Sequence, residues 1–176
     1  RQGDVSKLTD IPEIFSKVVS KVPDKQVMAD LDAAVAYAKK SGKADTAKLG
    51  CTGFCWGGRV VWLYAAHNPD LKAGVAWYGR LVGEPTPLQP SNPIDIAPTL
   101  KVPVLGLYGG KDTGISQESI GKMKDALAKG GNKSEFVVYP DAGHAFNADY
   151  RPSYVAADAK DGYARCLGWF KRHGVA

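Results

Sequence analysis

Paired cysteine spacings, long apolar runs and blocks of like charge are all missing from this 176-residue sequence. Its three cysteines, Cys51, Cys55 and Cys166, form no Cys-x-x-Cys pair, and an odd number argues against a disulfide framework. The chain is therefore expected to be reduced and cytoplasmic. No apolar stretch approaches the roughly 18 residues that a membrane-spanning helix needs, and the first residues are polar, without a signal-peptide core. Neither membrane insertion nor secretion is indicated. Lys and Arg number 23 against 18 Asp and Glu, a net charge of +5, but the cations alternate with acids along the chain. No basic patch interleaved with aromatics appears, so nucleic acid is not an expected partner. The three histidines belong to no cluster with metal-ligand spacing, and no metal is expected.

What is present reads as one domain over residues 1–176, alternating helical and extended patterns. Ile11 to Val19 give a short amphipathic stretch after a polar start. From Asp24, apolar residues at Val27, Leu31, Ala34, Val35 and Ala38 trace one helix face, stopped by Ser41 and Gly42. Strands are expected over 47–52, 72–78, 102–108 and 134–139. Helices follow the first, third and fourth of them. Ser116 caps the helix that runs to about Lys129, and Tyr154 to His173 form the last one, with Val155, Tyr163, Cys166, Leu167, Trp169 and Phe170 turned inward. Between the second and third strands Pro85, Pro87, Pro90, Pro93 and Pro98 break a long segment, residues 80–101, read as a loop over the site. His67 and His173 stand in last helical turns, where an imidazolium suits the dipole, and are read as structural. Alternating strands and helices imply an α/β fold with a parallel sheet covered on both faces, its working groups beyond the carboxyl ends of the strands.

The stretch Gly53-Phe54-Cys55-Trp56-Gly57-Gly58 reads as strand, sharp turn, helix. This is the nucleophile-elbow pattern, with a thiol in place of the usual hydroxyl. Glycines on either side relieve crowding at the turn, and the following helix start and the Trp56 backbone N–H favour thiolate and a developing oxyanion. Asp112, after Tyr108-Gly109-Gly110-Lys111, and His144, within Ala142-Gly143-His144-Ala145-Phe146, each follow a different expected strand. Nucleophile, acid, histidine is the chain order that α/β-hydrolases use. A histidine is needed to take the thiol proton and deliver it to the leaving group, and a carboxylate to hold the ring. Trp56, Trp77, Tyr78 and Phe146 are candidates to line an apolar pocket for the acyl group, with core packing as the alternative reading of aromatic residues at strand ends.

These three motifs together resemble the dienelactone hydrolase family, the carboxymethylenebutenolidases, along essentially the whole chain. The resemblance implies a three-layer α/β-hydrolase fold, here about four strands with flanking helices. It also implies a Cys55–His144–Asp112 triad opening a small lactone or ester through an acyl-thioester, without a cofactor, in a monomer or weak homodimer. Arg1 matches a family arginine that binds substrate carboxylate. A second family arginine, four residues beyond the triad histidine, is Ala148 here, with Arg151 nearby as a substitute. The family's opening strands, second oxyanion amide and a glutamate near the cysteine have no counterpart, so the domain is expected to be N-terminally incomplete. Two other readings stand beside hydrolysis: a non-catalytic binding module on the same scaffold, and thiol redox chemistry at Cys55.

Overall fold

The computed structural model describes residues 7, 8 and 10–176, which divide into two units. The smaller comprises the described residues up to Ala44 together with Glu84–Ser91. Its helix α1 (Ile11–Lys17) begins where the Asp10 carboxylate accepts the Glu13 N–H at 2.9 Å, and Pro12 occupies the first turn, where a missing donor costs nothing. A 3-10 turn over Val19–Lys21 leads into α2 (Asp24–Ser41), which ends on Gly42 at φ 66°. That left-handed cap is the stop signal visible in the sequence. Gln89 donates to the Val19 carbonyl at 2.7 Å, and the Asp24 N–H donates to Leu88 O at 2.9 Å.

The proline-rich segment is therefore not one loop. Residues 84–91 join the helices of the smaller unit, whereas Asn92 opens a short helix, α4 (Pro93–Ile96), in the larger one. A reciprocal capping box explains the break: Asn92 caps the start, and the Asp95 carboxylate accepts the Asn92 N–H at 2.8 Å.

The larger unit, Asp45–Gly83 with Asn92–Ala176, carries a four-stranded parallel sheet in sequence order: β1 (Gly50–Phe54), β2 (Ala73–Trp77), β3 (Val104–Gly109) and β4 (Glu135–Tyr139). The strand starts lie slightly later than the sequence suggests. Before β1 the cause is local, because Asp45 captures the Ala47 N–H at 3.0 Å and winds Thr46–Lys48 into a 3-10 turn. β2 and β3 are buried along their whole length, as their unbroken apolar runs require. β1 has one neighbour among the described strands and is half-exposed.

Alternation along the strands separates the two faces of the sheet. Gly74 faces Val61 of α3 (Trp56–His67), and Phe136 stacks on Trp62 of α3 and lies under Lys124 of α5 (Gln117–Lys129). Trp77 and Tyr139, at odd offsets from those residues, point the other way and meet Gly162 of α6 (Ala156–Arg172). The larger unit is thus a three-layer α/β arrangement. Ser116 caps α5 as its sequence indicates, accepting the Ser119 N–H at 3.1 Å.

The buried stripe of α6 is Ala159, Gly162, Cys166 and Trp169, so two residues expected inside are outside: Tyr163 is 60% exposed and Leu167 49%. Gly162 decides this rotation, since only a residue without Cβ fits against the Trp77 ring, 2.7 Å from where that atom would stand. His173 differs from expectation as well. Burial, with Arg172 beside it, lowers its pKa, which disfavours the cation that would suit the dipole, and its ring meets that of Trp169 at a tilt, 4.3 Å between centroids. Trp169, 2% exposed, anchors this helix far more than the exposed Arg172–Glu135 ion pair does, because open pairs contribute about 0–1 kcal/mol and a buried tryptophan about 3–5 kcal/mol on truncation.

The exit of β2 lies directly against the start of α3. A Cβ on Gly58 would stand 2.6 Å from Trp77 O, and one on Gly79 would stand 2.3 Å from the Gly58 carbonyl carbon, while Gly57 has open space. Gly58→Ala and Gly79→Ala should each cost about 1–3 kcal/mol or more by overpacking. Gly57→Ala should change stability by less than about 1 kcal/mol. Urea unfolding of the three variants checks this, and equal losses in all three would rule out the contact as the cause.

Candidate active site

Cys55 is the residue between β1 and α3, with φ 53° and ψ −117°, a conformation rare for anything but glycine. Its own N–H donates to Trp77 O at 3.0 Å, which fixes the turn to the neighbouring strand. Gly53 is needed for close approach, because a Cβ there would meet Gly57 O at 2.5 Å. The turn leaves the sulfur at the N-terminus of a twelve-residue helix, where backbone N–H groups and the helix dipole favour an anion.

Asp112 lies three residues past β3 and His144 five past β4, on loops stitched to each other through the backbone. Gly110 N–H donates to Tyr139 O at 2.7 Å and Lys111 N–H to Ala142 O at 2.9 Å. Gly109 and Gly110 permit this approach, since a Cβ on either would sit 2.5 Å from a carbonyl oxygen of the histidine loop. An exposed Lys111–Asp141 ion pair of 2.7 Å adds little to these bonds.

The result brings together the three residues that the motifs single out. Asp112 accepts the Gly114 N–H on Oδ1 at 2.8 Å and faces His144 Nδ1 with Oδ2 at 2.7 Å, while His144 Nε2 lies 3.2 Å from Cys55 Sγ. With Nδ1–H donated to the carboxylate, Nε2 accepts from a thiol or, once protonated, donates to a thiolate. The Asp112 side chain is 1% exposed and that of His144 42%, so the orienting bond is dry and the working edge is open.

Both titrations move toward the ion pair. Burial raises the Cys55 thiol, but the His144 hydrogen bond and charge, the Trp56 backbone N–H and the Arg151 charge together bring it below its ordinary value. His144 rises to about 9, chiefly through its hydrogen bond to Asp112 and then through that to Cys55, against the effect of burial. Both directions favour the thiolate–imidazolium form of the pair over the neutral one.

The other candidates fall into distinct places. Trp77 and Phe146 are 2% and 0% exposed, and their rings pack with Phe54, Tyr78 and Tyr139 below the histidine. Tyr78 is 3% exposed and meets the His144 ring edge-on at 5.2 Å between centroids. Arg151 lies on the histidine loop over the Tyr150 ring, close enough to act electrostatically on both Cys55 and Tyr78. Arg1 lies outside the described residues. Cys51 and Cys166 are free thiols raised by burial, Cys51 to about 11. Among the described residues no group of histidines, cysteines or carboxylates could hold a metal ion, and no helix is long and apolar enough to cross a membrane. Sequence reasoning missed the left-handed backbone at Tyr78, φ 37°, and at Ala145, φ 61°. For Tyr78 the available signal was the glycine that follows it.

A family model described as "Dienelactone hydrolase family" matches residues 1–174. The chain belongs to the dienelactone hydrolase family. A relative from Methylorubrum extorquens, named "putative carboxymethylenebutenolidase", is 66% identical over all of this chain and 60% of its own length. One of the same name from Escherichia coli is 57% identical over 99% of this chain and 64% of its own. The crystal structure of a "putative dienelactone hydrolase" from Klebsiella pneumoniae is 56% identical and superposes with a TM-score of 0.94, over 98% of this chain and 71% of that one. This chain thus spans about three fifths to two thirds of these curated family members.

Removing the largest cause of the raised histidine pKa tests the electrostatics. In Asp112→Asn the His144 titration should fall from about 9 toward the ordinary histidine range and the Cys55 thiol should rise, because the thiolate loses its cationic partner. Alkylation by iodoacetamide followed against pH, with the histidine signals followed by NMR, reads both. Unmoved midpoints would mean that Asp112 does not set the pair.

Proposed function

We propose that this domain carries the cysteine-dependent acyl-transfer centre of a hydrolase cleaving lactones or small esters. The observation that supports it best is the continuous chain from Asp112 Oδ2 through the His144 ring to Cys55 Sγ, at 2.7 and 3.2 Å, at the start of a helix. Membership in the dienelactone hydrolase family supports the same substrate class.

In this reading the Cys55 thiolate attacks the carbonyl carbon, a C–S bond forms, and the carbonyl π pair moves to oxygen. The Trp56 N–H, which already bonds the sulfur, is one donor for that oxyanion. Collapse breaks the C–O bond, and imidazolium Nε2–H gives its proton to the departing oxygen; in a lactone that oxygen stays tethered. His144, now neutral, takes a proton from water as the hydroxyl attacks the thioester. The second collapse releases a carboxylic acid and restores thiolate and imidazolium. Asp112 keeps Nδ1–H occupied throughout, so that Nε2 is the nitrogen that exchanges protons. Arg151 supplies positive charge for an anionic substrate, with Tyr78 beside it, and no cofactor is required by this cycle.

The test is a pre-steady-state burst with p-nitrophenyl acetate, with intact mass read after quenching. The expected result is one acetyl adduct in the parent protein and in His144→Ala a fall of roughly 10⁴-fold in acylation rate. Cys55→Ala should give no adduct and Cys55→Ser little. An adduct persisting in Cys55→Ala would overturn the assignment. So would peroxide consumption dependent on Cys55 without any ester cleavage, the signature of thiol redox chemistry.

A further inference from the structure

Among the described residues three non-glycine positions have positive φ, and all three converge on one place: Cys55 at the elbow, Ala145 beside the histidine, and Tyr78. The first two follow from the turn and the loop they belong to. Tyr78 calls for a reason of its own, because a bulky aromatic residue at φ 37° is conformationally strained.

The backbone shows how the strain is imposed. Tyr78 N–H donates to Leu107 O at 2.7 Å, continuing the β2–β3 ladder one residue past the end of β2. On the other side Trp77 O accepts the Cys55 N–H at 3.0 Å. The next residue, Gly79, lies against the Gly58 and Arg59 backbone, with no room even for a methyl group. Held on three sides, the chain turns sharply at residue 78. The ring is thereby driven inward, where it is 3% exposed and touches three rings: His144 edge-on at 5.2 Å, Phe146 at 5.3 Å and Phe54 at 6.1 Å.

We infer that Tyr78 is a positioning residue: its strained backbone sets the phenol ring as a stop against the His144 imidazole, keeping Nε2 aimed at Cys55 Sγ while Nδ1 stays on Asp112. Asp112 alone fixes one point of the imidazole, leaving it free to pivot about the Nδ1–Oδ2 axis, and at 42% exposure the ring has space on its open side. An edge-on aromatic contact removes that freedom from the buried side. The inference rests on the Cys55–His144 pair of the proposed function and adds the element that holds it in line. The charged and titratable groups around the pair are Asp112, Arg151, Tyr150 and Tyr78 itself. Burial, then the Cys55 charge, raises the Tyr78 phenol, so it stays neutral throughout the range in which the pair titrates.

Three variants test it: Tyr78→Phe, Tyr78→Leu and Tyr78→Gly. The readout is the Cys55 thiolate midpoint, by absorbance at 240 nm and by iodoacetamide alkylation against pH, alongside urea unfolding. Tyr78→Phe keeps the ring and should keep the parent midpoint. Tyr78→Leu and Tyr78→Gly should both move it up by about one pH unit, roughly a tenfold loss of alkylation rate on the acid side. Glycine accepts φ 37° without strain, so Tyr78→Gly should retain more stability than its lost ring alone would allow while losing the thiolate as fully as leucine does. That separation of stability from ionisation is what a merely structural tyrosine would not produce. Unchanged midpoints in the leucine and glycine variants, or a shift in Tyr78→Phe equal to theirs, would overturn the role of the ring. An ordinary thiol midpoint in the parent protein would instead remove the ion pair on which it rests.

Discussion

The close approach of two backbones, that of Trp77-Tyr78-Gly79 and that of the first turn of α3, is the constraint on which the rest of the site depends. Neither Gly58 nor Gly79 has room for a Cβ, and between them the Cys55 N–H reaches Trp77 O. From this single contact follow the sharp turn that lifts the sulfur beyond the sheet, the placement of a helix N-terminus under it, and the bend that drives the Tyr78 ring toward His144. Two glycines and one hydrogen bond convert a parallel strand pair into a mount for the Cys55 sulfur. Sheet hydrogen bonding alone would continue the strand; it is the absence of side chains that lets the chain leave it.

Electrostatics then decides what the sulfur is. Burial opposes ionisation of Cys55, and in an apolar site with nothing else nearby that effect would win, as it does at Cys51 and Cys166. At Cys55 the histidine, itself held by a carboxylate that is 1% exposed, leads the Trp56 N–H and the Arg151 charge in reversing the sign. One chain therefore contains three thiols with opposite tendencies, set by partners and not by depth. The division of labour within the histidine is equally plain: its protected nitrogen is committed to Asp112 and its open one serves the sulfur.

The site was legible in the sequence because each of its parts has a local signature. Gly53 to Gly58, Gly109 to Asp112 and Gly143-His144 all follow apolar runs at places where a parallel sheet presents its carboxyl ends, and the structure brings Cys55, Asp112 and His144 together there. The parallel character of the sheet and the helix caps at Ser116 and Gly42 were readable for the same reason. Less legible were features fixed across space. The rotation of α6, which exposes Tyr163 and Leu167, is decided by a tryptophan 85 positions away in the sequence resting on Gly162. Division of the proline-rich segment depends on Gln89 and Asn92 finding partners in different units. The strain at Tyr78 arises from three neighbours that no local window contains.

The backbone stitching between the loops after β3 and β4 has a consequence for how the site is mounted. Gly110 to Tyr139 and Lys111 to Ala142 bind the Asp112 and His144 loops into one body, whereas the sulfur is mounted at the end of β1, two places across the sheet from β3 and three from β4. The 2.7 Å link joins two residues of the same body, and the 3.2 Å link joins that body to the β1–α3 turn. The contact between sulfur and imidazole is thus the seam between two separately mounted parts, whereas the Asp112–His144 pair lies wholly within one of them.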